Sequence, residues 1–576
     1  MNPLLPFQQD KRWLWTAVIG FLLFLLIQAF PITGQLFATD VHPVMSRSEA
    51  ESKAIEIAAA RFAVQSDEID RTSATHLSDS QTVGYFSKYG LMDAYKKQWS
   101  SSTPTDVYAI DLQLIGESGH LLIYLHMESG DLVAWQHLTD TASTASTASV
   151  QPASEGSQLA SEALGYAAFY GINASEWEWS GTVEDDGSVR FESRKSDINE
   201  SSLWMKVIVP ADFSMAASSI APWIGGKVTY GFDLSAAFTA YMKEQGKLST
   251  SLTTYGFIIP QIIFFIIAIV YAGTHGGQSS YRRGILLSAL FFAMYVGITI
   301  NMIPGLRAGS WEATVAQGNG ASTAIIVISI AIYAGMALLT YFSAVGGDGL
   351  WKSMGKSLWP RWQEGDYGVS VLRSMRAGYF LAFILLGAQS VILLVLEKSL
   401  GSFASSDATQ SMYNMRITWI LPLLAWCAGI SEELQSRLLG IGVFRSWFVG
   451  GARKLLRREL STRTTVMLTA AAMIPPGLLW AMGHVSYAIY PVYTRIIELV
   501  LMAMLFGWFM LRFGIMTVIF AHVTLNAILM GMQMMFDGLP GDFYGGIFSL
   551  VMPGLVGIAI WWVHGLFRGK AKPVVV

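Results

Sequence analysis

From residue 256 onward the chain is a succession of apolar stretches with few charges: 256–273, 285–304, 323–345, 378–396, 417–444, 466–494, 496–512 with Glu498 near its start, 515–535 and 547–567. About 20 apolar residues let a helix cross the hydrocarbon core of a bilayer. Backbone in lipid must satisfy its own hydrogen bonds, which leaves helices and closed barrels as the spanning structures. Trp13–Phe30, inside a charge-free run over 13–39, adds a further span. That run is too long for a leader core and is read as an uncleaved anchor. The expected fold is a polytopic α-helical membrane protein with about ten transmembrane helices. A wholly soluble or disordered chain is excluded.

Residues 33–254 break this pattern, with 14 Lys and Arg against 28 Asp and Glu, whereas the rest holds 24 against 13. An acidic polar block is therefore inserted between the first and second spans. Lys and Arg collect on the cytoplasmic side of spans. With the N-terminus inside, 19 of them fall on inside segments and 4 (Arg307, Lys398, Arg416, Arg495) on short outside loops. The reading is a multi-pass protein of the cell membrane, both termini cytoplasmic, with 33–254 extracytoplasmic. Its parts are an anchor (1–32), the polar block (33–254), additional helices (255–400), a core (401–535), and a last helix with a cytoplasmic tail (536–576). The basic residues flank apolar spans and form no separate patch, so a nucleic-acid role is not expected. The single Cys427 precludes an intrachain disulfide.

Within the polar block, Ser46-Arg47-Ser48-Glu49 is a capping box opening a helix to about Val64. Val107–Ile115, His120–Leu125 and Leu132–Leu138 alternate as an antiparallel meander. Thr-Ala-Ser recurs three times over Thr141–Ser149, a linker composition. A helix over Gln158–Tyr170 and strands at Glu176–Val183, Val189–Ser193, Leu203–Val209 and Lys227–Leu234 then partly repeat the pattern. The expectation is an α+β domain of two units split near 139–157, faintly resembling PepSY-type modules. No metal-spaced or nucleophile motif occurs there.

Charge inside a span is costly and marks function by default. The core carries Glu432-Glu433-Leu434-Gln435-Ser436-Arg437, Trp480-Ala481-Met482-Gly483-His484, Glu498, and His522-Val523-Thr524-Leu525-Asn526. Glu433 and Arg437, four apart, share a helix face and read as a structural ion pair. Glu432 lies about 100° round the helix, with no evident cation. A desolvated carboxylate beside another suits a general base for water. His522 and Asn526 are again four apart, and His484 brings an imidazole from another helix. Glu498 stands near Arg495 and reads as structural.

The series Glu-Glu-x-x-x-Arg, aromatic-x-x-x-His and His-x-x-x-Asn resembles the CPBP family of intramembrane proteases, the CAAX-protease and bacteriocin-processing family. Gly507 and Arg512-Phe513-Gly514 fit its Gly-rich helix with an Arg-x-Gly turn. Ser436, Leu438 and Trp480 depart from the family's usual residues, which bears on substrate more than on the active site. The resemblance spans about 415–530. It implies an endopeptidase with Glu432 as water-activating base, His484, His522 and Asn526 as partners, and Glu433 and Arg437 as supports. Its substrate would be a peptide or membrane protein entering from the cytoplasmic side of the bilayer. Two alternatives stay open: a proton-coupled transporter or receptor using the Glu and His residues as a relay, and a catalytically silent scaffold or immunity protein on the same fold. No cofactor is expected; if a metal binds, Glu432, His484 and His522 could hold zinc. Starting the seventh span at Pro475-Pro476 levels His484 with His522 in the cytoplasmic half, with Gly451–Met473 as an interfacial helix.

Overall fold

A computed structural model describes residues 11–29, 43–116, 119–138, 153–210, 212–213, 222–309, 311, 315 and 319–568. The Thr-Ala-Ser repeats lie outside the described residues.

Among the described residues, nine helices are long and apolar enough to cross a membrane. α1 spans Lys11–Phe24 and continues as a π turn to Ala29. The second span is part of one helix, α6 (Ala236–Gln278), which starts directly beneath the α+β domain and carries a π segment at Leu252–Ile258. α7 (Tyr281–Asn301), the short α8 (Ile303–Ala308), α9 (Asn319–Ser353) and α10 (Tyr367–Leu400) follow. A further helical run carries the charged motif: α11 (Pro422–Glu432), a wide π segment (Glu433–Ile441) and α12 (Gly442–Leu456). α13 (Thr462–Ala471), α14 (Ile474–Met482), α15 (Val492–Phe513), α16 (Ile515–Met535) and α17 (Asp542–Arg568) complete the set. The protein is a polytopic helical membrane protein with a separate α+β domain.

The single interfacial helix expected over Gly451–Met473 is instead two. The chain turns at Arg457, in the left-handed region at φ 49°, and restarts where the Ser461 hydroxyl accepts from the Thr464 amide at 3.1 Å. α13 then stops at Ala471, ahead of Pro475-Pro476 in the first turn of α14, where missing amides are tolerated.

The α+β domain is built twice over. α2 (Arg47–Phe62) precedes β1 (Ile69–Ser78), and then, after α3 (Ser80–Tyr89) and α4 (Met92–Gln98), β2 (Asp106–Leu114), β3 (His120–His126) and β4 (Leu132–Leu138). α5 (Ala153–Phe169) precedes β5 (Trp177–Val183), β6 (Val189–Ser193), β7 (Ser202–Ile208) and β8 (Lys227–Asp233). Each half is a helix followed by antiparallel strands that pair in chain order, with α3 and α4 inserted between β1 and β2 in the first half. The halves join edge to edge into one sheet ordered β1-β2-β3-β4-β8-β7-β6-β5. The β4–β8 seam is short, pairing Trp135 with Val228 and Gln136 with Lys227. Aromatic packing reinforces it: Phe62 of the first half stacks on Tyr170 of the second at 4.8 Å, and Trp135 meets Tyr170 at 4.7 Å.

The domain sits on one end of the helical bundle. The Asn414 carboxamide bonds both backbone groups of His76 in β1, at 2.8 Å each. Val44 donates to the Gly538 carbonyl at 3.1 Å, Gln245 accepts from the Val492 amide at 2.8 Å, and Ser249 donates to the Val485 carbonyl at 3.0 Å. Loops 401–421 and 536–541 therefore meet at the domain, and 483–491 meets the first turns of α6 beneath it. At the other end, buried Asp348 pairs with Arg283 at 2.9 Å and Lys352 at 2.7 Å, and Ile515 donates to the Leu358 carbonyl.

Candidate active site

Four helices bring the motif residues together. Glu432 ends α11, just where the helix widens into its π segment. His484 follows the C-terminus of α14, its Nδ1 2.8 Å from the Trp480 carbonyl. His522 lies seven residues into α16, and Asn526 one turn later. α15 supplies Met502 and Phe506 as the apolar wall.

The Glu432 carboxylate lies between the two imidazoles. Its Oε1 is 3.8 Å from His484 Nε2, and its Oε2 is 3.8 Å from His522 Nε2. The Trp480 indole N–H donates to Oε2. Trp480 therefore supplies a hydrogen-bond donor that an aromatic ring without an indole N–H lacks. Behind His522, its Nδ1 is 2.7 Å from Glu433 Oε1, and the other oxygen of Glu433 is 3.4 Å from Arg437 Nε. Glu433 and Arg437 are both buried, and the guanidinium lies over the Trp480 ring at 4.0 Å. A desolvated cation over an aromatic face gains about 2 kcal/mol.

These partners set the tautomers. A carboxylate or a carbonyl facing Nδ1 requires Nδ1–H. In the neutral form each ring then presents an unprotonated Nε2 toward Glu432. The neutral imidazoles are acceptors there, and each becomes a donor only when protonated.

Glu432, Trp480, His484, His522 and Asn526 line one cavity of about 210 Å³. Asn526 makes no hydrogen bond to another described residue, so its amide is open to a ligand. Tyr487, Gln389 and Arg495 also line it, and the sequence reading assigned none of these to the site. Tyr487 stacks on His484 at 5.5 Å, a contact that its position three residues on could have signalled. Glu498 is fully buried, 2.6 Å from Arg495 and 2.8 Å from Gln389. It thereby holds two cavity-lining side chains from behind.

Residues 414–528 match the family model described as Type II CAAX prenyl endopeptidase Rce1-like. This core is similar to the Rce1-like CAAX endopeptidases, which supports its likeness to the CPBP family of intramembrane proteases. No curated protein and no solved structure matches the chain. The matched segment opens at Asn414, the residue that fastens the CPBP-like domain to β1, and encloses all four motif positions. The α+β domain and the helices up to residue 413 lie outside it.

Proposed function

We propose that the CPBP-like domain is an endopeptidase in which Glu432 activates water against a peptide bond. The observation that carries this is the carboxylate held 3.8 Å from two imidazole nitrogens inside a largely apolar cavity. Glu432 takes a proton from water, the hydroxide adds to the carbonyl carbon, and the proton passes to the leaving amine. The Asn526 amide donates to the oxyanion, and a protonated imidazole adds a second donor. The Trp480 N–H orients the carboxylate, and Glu433 orients His522. Comparing membrane peptides from cells carrying wild-type protein and Glu432→Gln tests this. Peptides present only with the wild type support it, and indistinguishable peptide sets overturn it.

A second reading has its own observation. Rings tied at Nδ1 by a carboxylate and a carbonyl, with Nε2 free, are arranged as zinc-ligating histidines are. Glu432, His484 and His522 would be the ligands, although among the described residues no group of three or more His, Cys, Asp or Glu side chains is placed to hold a metal ion. The metal-free reading is preferred because Glu432 already accepts the indole N–H and because Asn526 is a poor zinc ligand but a good oxyanion donor.

The charge bias supports a topology with both termini in the cytoplasm and the α+β domain outside. Protease added to intact cells should cut within 33–254 and spare 346–377. Cleavage of the latter from outside would reverse the orientation.

A further inference from the structure

The catalytic cavity has a second chamber above it. A vestibule of about 980 Å³ lies between the site and the α+β domain and shares Leu424, Tyr487, Leu529 and Met530 with the catalytic cavity. Its rim is polar and is partly made by the domain itself: His76 of β1 and Asp106 of β2 face Ser405, Ser406, Asp407 and Gln410. Its interior is apolar and rich in methionine, with Met302, Met412, Met415, Met530 and Met532 on three different segments. Methionine walls are flexible and polarizable, and they adapt to varied apolar side chains. The gradient thus runs from a polar rim through an adaptable apolar chamber to Glu432.

We propose that this vestibule is the substrate path. The polypeptide to be cut reaches Glu432 from the α+β-domain side, with an apolar, extended segment in the methionine chamber and a polar flank at the His76–Asp106 rim. The four wall residues it shares with the catalytic cavity select this occupant over a lipid or a second copy of the chain, since a polypeptide passing between the chambers is brought to the Glu432 carboxylate. The two β1 hydrogen bonds to Asn414 fix the rim to the segment leading into α11, so the domain is a wall of the path. This route differs from the cytoplasmic one expected from the sequence. It rests on reading Glu432 as the water-activating base.

The path is tested with a probe that does not depend on catalysis. In a Cys427→Ala background, Leu529→Cys places one thiol where the two chambers meet. A small cationic methanethiosulfonate is applied to either face of sealed vesicles. Labelling from the α+β-domain face is expected, slowed several-fold by Gln533→Trp at the vestibule wall. Met532→Trp serves as the second plug, and the melting temperature of each variant reports folding. Labelling from the opposite face alone, from neither face, or at a rate unchanged in well-folded plugged variants overturns the path. Peptide cleavage in the same vesicles separates the two ideas. If Glu432→Gln abolishes cleavage and labelling comes from the opposite face, only the path fails. If Glu432→Gln leaves cleavage intact, the endopeptidase reading fails regardless of labelling.

Discussion

Glu433 Oε1 lies 2.7 Å from His522 Nδ1, so the carboxylate adjacent in sequence to Glu432 holds the imidazole that Glu432 faces. Its i,i+4 spacing to Arg437 indicated an ion pair alone. Glu433 is thus a positioning residue as well as a counter-ion. Glu433→Gln should lower both stability and turnover. It leaves the Arg437 guanidinium as a buried cation without its carboxylate, and breaking such a pair costs about 3–5 kcal/mol. It also loosens the His522 tautomer, so kcat should fall more than KM rises and the pH–rate profile should move. Loss of stability with an unchanged kcat would confine Glu433 to a structural role.

Glu432→Gln should behave differently. Gln is close to isosteric and still accepts the Trp480 N–H, so the melting temperature should stay near that of the wild type. It cannot take a proton from water, so cleavage should be lost. A large drop in melting temperature, or retained cleavage, would remove Glu432 from the base role.

The two metal readings separate on elemental analysis. The metal-free mechanism expects well under one equivalent of transition metal in purified protein and full activity after dialysis against a strong chelator. A metal bridging three helices would raise the melting temperature by mass action. Stoichiometric zinc, with activity lost on chelation and regained on addition, would make His484 and His522 ligands.

The Asn414 carboxamide makes three hydrogen bonds at 2.8 Å, two to His76 and one to the Ala408 carbonyl, while nearly fully buried. Each buried partner left unsatisfied costs about 1–3 kcal/mol. Asn414→Ala should therefore loosen the seam between the α+β domain and the bundle. Hydrogen exchange at β1 should rise, with little change at β5–β7. Uniform exchange across the sheet would mean that this contact does not fasten the domain.

Burial, reinforced by the neighbouring Asp542, pushes the Asp537 carboxyl up to about 8 in the loop that meets Tyr413. The folded state thus keeps a proton that the unfolded chain releases near pH 4. Stability from this group is complete below about pH 4 and is lost as the pH rises through about 8. Asp537→Asn should flatten the fall in melting temperature between about pH 5 and pH 9. An unchanged slope would assign that fall to other groups.

What the sequence made legible follows from how strongly each local pattern is written. The spans and the motif residues were readable because charge in an apolar run is conspicuous. The strands β2–β8 were readable from alternation. β1 was not, since Ile69-Asp70-Arg71-Thr72-Ser73-Ala74-Thr75-His76 offers few apolar side chains, and its burial comes from pairing with β2, from α2 and from the 401–421 loop. The single interfacial helix failed because a left-handed Arg457 has no sequence signature. Tyr487, Gln389 and Arg495 went unassigned because their place in the cavity depends on how the helices cross.

α1 crosses α10 where Gly20 faces Gly387, so closely that a methyl on either glycine would run into the other helix's backbone. The two glycines are separated by roughly 370 residues, which the ribosome adds at about 5–20 per second, so some 20–70 s pass before they can meet. During that interval α1 stands in the bilayer without its eventual neighbour, while the whole α+β domain has already emerged. Docking of α1 onto α10 is therefore a long-range step that must wait until about two thirds of the chain has been made.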